Sequence, residues 1–302
     1  MRFIYDKTIE KPCGFLFARW SAGAKAIEMS LPENKRIITD RYAPFYAGKV
    51  GMDMVKAMHV INPSVRKGIV LRARYFDDYA VRCIDDGCSQ VVLLGAGYDS
   101  RYLRLSEFHN IDVFELDLLS TQTIKKSLTR RLLGGLPPNV KYVNIDFSKD
   151  NIIETLIKAG FRRHRRTLFI WEGVTLFLNQ DIIAKTLGRL AELGPRHRVV
   201  FDFIPRELVD DETDYRGNRR LLNLCASIRE PLTFGSRPEA MEELLGRLGY
   251  GRIKIVGLPE TCKRYTGSGQ IEDSYYFATA EVCPDNSKSN GSRIIIPNER
   301  IS

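Results

Sequence analysis

The sequence predicts a doubly wound α/β fold, in which helices cover both faces of a mostly parallel sheet. Two observations lead to this prediction. Short apolar runs alternate with amphipathic helical segments through the middle of the chain, and most of these runs are apolar on both faces, as in a buried parallel sheet. The chain has 302 residues, a length that suits one large core with an added lid.

Seven apolar runs are predicted strands. Each is short and rich in β-branched, aliphatic or aromatic residues; they cover residues 90–94, 111–116, 141–145, 167–171, 198–204, 253–256 and 275–282. Three segments between them carry apolar stripes at helical spacing, at residues 151–159, 181–193 and 238–248. In an open sheet of this type, ligands bind where the strands end, so the residues that follow each strand are the first candidates for function.

The beginning and end of the chain lack this alternation. Residues 1–85 predict three helices, at residues 17–29, 44–59 and 69–84, which we interpret as a cap belonging to the same domain as the core at residues 86–283. Residues 206–234 interrupt the alternation and predict a lid over the sheet edge. The Asn- and Ser-rich residues 284–302 predict a flexible tail, with a docking arm as the alternative.

Composition excludes several classes of protein. No apolar run approaches the roughly 18 residues that a membrane helix needs, and the N-terminus has no signal-peptide core. The six cysteines form no C-x-x-C pair, so we expect a reduced, cytoplasmic protein. No cluster of His, Cys, Asp or Glu shows metal-ligand spacing, so no metal is predicted. The net charge of +9 invites a nucleic-acid partner, but much of it lies in residues 162–166, a run typical of solvated surface.

The strongest local motif is the Gly-Ala-Gly turn that follows the first predicted strand. Gly95 and Gly97 let the backbone approach a bound cofactor; the alternative is a simple tight turn. Asp117 lies 20 residues beyond Gly97 at the end of the next strand, where an acid can accept hydrogen bonds from a ribose diol; the alternative is an acid at a helix start. The third glycine of a dinucleotide fingerprint is absent, which disfavours a dehydrogenase and favours a cofactor with an adenosine but no phosphates.

Two further strand ends carry candidate residues. Asp146 and Phe147 follow the third predicted strand, where Asp146 can take the exocyclic amine of an adenine and Phe147 can pack on its ring; a helix cap is the alternative. Glu172 follows the wholly apolar strand at residues 167–171. There it can hold the ammonium of an amino-acid-bearing cofactor or face the substrate.

The order of these motifs, LGAGYDSR, VFELD, NIDF and LFIWEGVTLFL, resembles the leucine carboxyl methyltransferase family of S-adenosylmethionine-dependent O-methyltransferases. The segments SAGAKAIEM, DRYAPFYAG and LRARYFDD are similar to the leading helix of that family, its D-P-Y-A turn and its R-T-R-F-F-D segment. The resemblance spans roughly residues 15–282. It implies a class I methyltransferase, Rossmann-like fold and S-adenosylmethionine as the cofactor.

The resemblance also implies roles for the site residues. Gly95 and Gly97 would approach the cofactor, Asp117 would bind its ribose, and Glu172 would lie near its methionine moiety. Asp146 and Phe147 would flank the adenine. Lys25 and one arginine of the LRAR segment match basic positions near the cofactor's carboxylate, and we prefer Arg74 to Arg72.

The predicted activity is transfer of a methyl group to a carboxylate of a small molecule or a peptide terminus. A carboxylate is ionised at neutral pH and needs no general base, and no residue is assigned as one. Phe177 stands where many family members have a tyrosine, which removes a hydroxyl from the site. The alternatives are a nucleic-acid methyltransferase that uses the basic surface and a non-catalytic protein that binds the cofactor.

Overall fold

The computed structural model describes residues 15–284, and the prediction of a flexible tail lies almost wholly outside the described residues. The described part contains one sheet, built from β1 (Gln90–Leu94), β2 (Asp112–Asp117), β3 (Val140–Asn144), β4 (Thr167–Trp171), β5 (His197–Phe203), β6 (Tyr250–Gly257) and β7 (Tyr276–Val282). Its strand order is β3-β2-β1-β4-β5-β7-β6. The first five are parallel, and β7 is antiparallel to both of its neighbours. The predicted mostly parallel α/β fold is confirmed.

In the described residues, helices lie before β1 and between the later strands. In chain order they are α1 (Phe15–Glu28), α2 (Ala43–Ile61), α3 (Pro63–Asp85), α4 (Arg101–Arg104), α5 (Leu119–Leu133), α6 (Ile152–Lys158), α7 (Gln180–Ala191), α8 (Arg206–Val209), α9 (Asn218–Ser227), α10 (Pro238–Arg247) and α11 (Leu258–Thr266). None of them, within the described range, is long and apolar enough to cross a membrane.

The hydrophobic core occupies both faces of the sheet. Side chains alternate along each strand, so Val92 of β1 packs on one face with α6, α7 and α10, while Val91 packs on the other with α3 and α11. Every residue of β1 and β4 is buried. This two-sided burial explains why the interiors of β1 and β4 are apolar throughout, so that polar side chains stand at or beyond the ends of these two strands.

Helices α1 and α2 cross at very short range over the carboxyl edge of the sheet. A Cβ on Gly51 would lie 2.3 Å from the carbonyl oxygen of Arg19, and a Cβ on Gly97 would lie 3.2 Å from the Cβ of Ala18. Trp20 of α1 packs with Val55 and Met58 of α2 in a small apolar cluster. The contacts place α1 directly above the turn that follows β1.

The sequence prediction lacks several helices, namely α4, α5, α8, α9 and α11, of which α5 is the longest. The fully buried positions of α5 are polar, with Gln122, Lys125 and Thr129 all inaccessible to solvent, whereas its apolar row of Ile124, Leu128 and Leu132 is only partly buried. Gln122 donates hydrogen bonds to the carbonyl oxygens of Glu115 and Val143, both at 2.8 Å. The helix is therefore attached to the sheet through hydrogen bonds that a hydrophobicity pattern does not reveal.

Candidate functional site

A cavity of about 460 Å³ lies at the carboxyl edge of the sheet, beneath α1. Its wall is built from the residues that follow β1, β2, β3 and β4, from one side of α1, and from Glu230 and Pro231 after α9. This is the edge at which open α/β sheets bind ligands, and the volume is within the usual range for small-molecule sites. The fold therefore brings the candidate strand-end residues together at one cavity.

The cavity wall includes seven of the eight residues selected from the sequence: Lys25, Gly95, Gly97, Asp117, Asp146, Phe147 and Glu172. Arg74 is the selected residue that the structure places away from this cavity. Its side chain is 43% exposed and donates to Asp78 at 2.9 Å, away from the cavity, whereas Arg72 is buried on the wall. Successive residues of a helix are rotated by roughly 100°, so two residues that are two positions apart point to nearly opposite sides.

The turn after β1 holds Asp117 in place. Gly95 adopts a φ of +65°, and a Cβ there would lie 2.5 Å from the side chain of Val174, so no other residue fits. The backbone N–H groups of Gly97 and Leu118 each donate to one oxygen of Asp117 at 2.7 Å. Burial raises the pKa of Asp117 above its usual range, and these two hydrogen bonds oppose the rise. The carboxylate is fixed at the wall by backbone groups.

Asp146 occupies a different setting. Its carboxylate accepts hydrogen bonds from the backbone N–H of Ser148 at 3.0 Å and from the Ser148 hydroxyl at 2.6 Å, which lower its pKa. The cap of α6 is Asn151, so Asp146 is not the helix cap that was its alternative interpretation. The Phe147 ring packs 5.8 Å from the Trp171 ring. Both residues form the wall beyond β3.

Glu172 is part of a buried ionic cluster beneath the cavity. It accepts from Arg72 Nε at 3.1 Å and from Arg101, and Arg72 also donates to Asp202 at 2.9 Å. Arg101 further donates to Asp77 at 2.9 Å. Burial acts to raise the pKa of Glu172, but Arg101 and Arg72 outweigh it and lower the pKa, so the carboxylate is ionised.

The cluster continues to α1 through Asp40, which pairs with Lys25 at 3.2 Å. In the described part of the chain it joins five carboxylates to four cations, so its net charge is −1 when all are ionised; its members are Asp40, Asp77, Asp99, Glu172, Asp202, Lys25, Arg72, Arg101 and Arg104. Burial acts to raise the pKa of Asp99, but the Arg101 guanidinium dominates and lowers it to about 2. The floor of the cavity is therefore charged and slightly negative.

Most members of this cluster were not predicted from the sequence. Asp202 had a visible signal, because it is the lone acid of β5 and lies between Phe201 and Phe203, and an acid is almost never fully buried without a partner. Arg101 and Asp77 lie within the motifs that carry the resemblance, yet their spacing predicts no contact between them. Their pairing depends on α3 and the turn after β1 meeting beneath the cavity.

A model of the family described as leucine carboxyl methyltransferase matches residues 18–191, which is more than half of the chain. The matched range includes α1, α3, the turn after β1, and the ends of β2, β3 and β4, which together form most of the cavity wall. The chain belongs to the leucine carboxyl methyltransferase family.

This family member is 27% identical over 165 residues to YktD of Bacillus subtilis (strain 168), and the alignment covers 54% of each chain. YktD is described as an S-adenosyl-L-methionine-dependent methyltransferase. It is 31% identical over 176 residues to a protein of the same description from Mycolicibacterium smegmatis (strain ATCC 700084 / mc(2)155), covering 54% of this chain and 58% of that one. The chain thus spans about half the length of these curated relatives.

Among solved structures, the family member is similar to a crystal structure described as a methyltransferase from Thermobifida fusca YX. The TM-score is 0.61 at 12% sequence identity, and the superposition covers 88% of this chain and 94% of that one. The likeness shows a shared fold, which confirms the class I methyltransferase, Rossmann-like architecture.

Proposed function

We propose that the protein is an S-adenosylmethionine-dependent methyltransferase that forms a methyl ester on a carboxylate of a small molecule or a peptide terminus. The observation on which the proposal rests is the convergence of Asp117, Glu172 and Arg72 on one cavity at the carboxyl edge of the sheet. Membership of the leucine carboxyl methyltransferase family supports it.

The cavity fits this cofactor in volume, backbone and charge. Gly95 leaves no side chain between the turn and the cavity, and Asp117 presents a carboxylate that suits a ribose diol. The cofactor carries a sulfonium, an ammonium and one carboxylate, a net charge of +1 that complements the net charge of −1 on the ionic cluster. Lys25 and Arg72 are the cations on the wall in the described residues, and they suit the cofactor's carboxylate.

The chain's own residues bind and orient the reactants. When bound, S-adenosylmethionine supplies a methyl group that its sulfonium already activates. In our proposal Glu172 accepts from the ammonium, Asp117 from the ribose, and Asp146 from the adenine amine, while Phe147 packs against that ring. Orientation of this kind contributes about 7–11 kcal/mol to barrier lowering in favourable cases. Helix α1 covers the cavity and limits the access of water.

The side chains around the cavity favour an acceptor that is already ionised. No histidine lines it among residues 15–284, and burial raises the pKa of Tyr98 and of Tyr275 to about 12, so both stay protonated at neutral pH. Asp99 and Glu172 are held by arginines. The other wall carboxylates in that part of the chain are assigned to cofactor binding or to the ionic cluster, whereas Glu230 is assigned to neither. Glu230 is therefore the residue to test as a base.

Two measurements test the proposal. Calorimetric titration with S-adenosylmethionine should show binding, with NAD as the control; absence of binding, or tighter binding of NAD, overturns it. Transfer of a labelled methyl group to a panel of carboxylic acids and carboxyl-terminal peptides should give a product that mild alkali cleaves. An alkali-stable product overturns the assignment of a carboxylate as the acceptor, but leaves the cofactor assignment intact. The same holds if E230Q turns over much more slowly and its rate no longer varies with pH, because Glu230 would then act as a base.

A further inference from the structure

A second, smaller cavity of about 50 Å³ adjoins the first. The two share Phe17, Trp20, Leu176 and Tyr275, none of which belongs to the part assigned to adenosine. The opposite wall of the second cavity comes from the lid segment at residues 206–234; it consists of Leu208, Tyr215, Gly217, Asn218, Leu221, Cys225 and Leu232. A molecule that reaches beyond the main cavity on this side therefore enters an apolar space.

One end of the second cavity is acidic. Glu272 accepts hydrogen bonds from the side-chain amide of Asn62 at 2.8 Å and from the backbone N–H of Arg216 at 3.2 Å. Both donors are neutral, and no lysine or arginine lines this cavity within the described part of the chain. Glu272 thus differs from Glu172, whose charge is balanced by two guanidinium groups. An uncompensated carboxylate attracts cations and hydrogen-bond donors and repels anions.

We infer that the second cavity binds the non-reacting end of the methyl acceptor, and that this end is a short aliphatic group bearing an ammonium. The inference rests on the proposed function. The volume is about one third of the roughly 150 Å³ of an engineered cavity that takes benzene, so a branched aliphatic group fits better than a ring. Glu272 provides the acceptor for the ammonium, and Leu221 and Cys225 contact the aliphatic part.

The experiment uses the full chain saturated with S-adenosylhomocysteine and three probes of similar size: isoamylamine, isoamyl alcohol and isocaproate. Calorimetry and ligand-observed NMR report their affinities. We expect isoamylamine to bind about tenfold more tightly than isoamyl alcohol, and isocaproate to bind least. E272Q, which retains an acceptor for Asn62 but loses the charge, should remove the preference for the amine.

The variant L221F fills the cavity and should abolish binding of the amine and the alcohol. Leu222 is the matched control, because it lies on the same helix, is half-buried and lines neither cavity; L222F should bind the probes as the original chain does. Affinity for S-adenosylhomocysteine should be unchanged in all three variants, which also shows that they fold.

The outcomes separate two failures. A chain that does not bind S-adenosylhomocysteine overturns the proposed function. A chain that binds it but none of the three probes overturns the assignment of the second cavity alone. The assignment is also wrong if isocaproate binds as tightly as isoamylamine, if E272Q keeps the preference for the amine, or if L222F weakens binding as much as L221F.

Discussion

Arg72 and Arg74 lie two positions apart on α3, yet they have different surroundings. Arg72 is buried, pairs with Glu172 and Asp202, and lies over the ring of Tyr275. Arg74 pairs with Asp78 near the surface and lies over the ring of Tyr265. The two arginines are consequently a matched pair, in which one substitution removes a cavity contact and the other does not.

We expect R72K to lower the affinity for S-adenosylmethionine by about tenfold or more, because a lysine keeps the charge but cannot bind Glu172 and Asp202 with one planar fork. R74K should leave the affinity within the error of the measurement. Calorimetric titration of both variants checks this, and urea unfolding shows whether they are folded. Equal losses in the two variants would contradict the placement of Arg72 at the site.

Asp117 and Asp112 form a second pair, on the same strand. In D117N one oxygen becomes an amide N–H₂ that faces a backbone N–H, so the turn opens and the ribose acceptor is lost. We expect the affinity for S-adenosylmethionine to fall by about tenfold or more. D112N breaks only a partly exposed ion pair with Arg165 and should bind normally. Comparable binding by both variants would show that Asp117 has no part in the site.

At the scale of elements, the crossing of α1 and α2 determines where the cavity wall lies. Residues of both helices approach so closely that side chains larger than hydrogen are excluded at Gly23 and Gly51. Helix α1 carries Phe17 and Lys25 into the wall. Any substitution that separates the two helices should therefore change both stability and binding.

The variant G51A tests this coupling. Its Cβ would lie 2.3 Å from the carbonyl oxygen of Arg19, so α1 must shift, and we expect a loss of about 1–3 kcal/mol in stability together with weaker cofactor binding. The control is G246A on α10, where nothing lies within 4 Å of the new Cβ and the helix should gain up to about 1 kcal/mol. Denaturant unfolding and calorimetry measure both effects. If G51A is destabilised but binds the cofactor with normal affinity, the packing of α1 on α2 does not affect the site.

At the scale of the whole molecule, part of the basic run that contributes to the net charge of +9 is engaged within the fold. Two of the arginines in residues 162–166 are occupied within the fold: Arg165 pairs with Asp112 at 3.1 Å, and Arg166 donates to the carbonyl oxygen of Asp86 at 2.8 Å. The buried ionic cluster holds none of the basic excess, because its carboxylates outnumber its cations. Part of the basic run at residues 162–166 therefore stabilises the fold.

Stability should depend on pH through His197. This residue is 2% exposed and packs near the rings of Phe161 and Phe169, and burial lowers its pKa from 6.5 to about 4. The unfolded chain therefore binds this proton at a higher pH than the folded chain. The contribution of His197 to stability is complete above about pH 6.5 and is lost as the pH falls towards 4, by about 3 kcal/mol in all.

The comparison of H197F with the original chain isolates this contribution. Unfolding free energies measured from pH 7 to pH 4 should fall less steeply in H197F. H164F, at an exposed position in the basic run, should follow the original chain. Parallel curves for the original chain and H197F would show that His197 is not held neutral in the folded protein.

Local pattern is sufficient for the fold class and for much of the cavity wall. The strands β1 and β4 have the predicted bounds, because a run buried on both faces must be continuously apolar and its ends must be polar. Since parallel strands end at one edge of the sheet, residues selected one by one, such as Gly95, Asp117 and Glu172, meet at one cavity. The prediction misses α5, because the side chain of Gln122 attaches this helix to the sheet by hydrogen bonds and its apolar row is only partly buried.

The choice between Arg72 and Arg74, the buried ionic cluster and the second cavity depend on tertiary structure. The cluster joins residues as distant in the chain as Asp40 and Asp202, and the energy of a buried charge depends on which opposite charges surround it in space. No spacing in the sequence specifies those neighbours. Sequence thus determines which side chains arrive at the edge of the sheet, whereas packing of the cap and the lid determines which of them face the cavity and which neutralise one another beneath it.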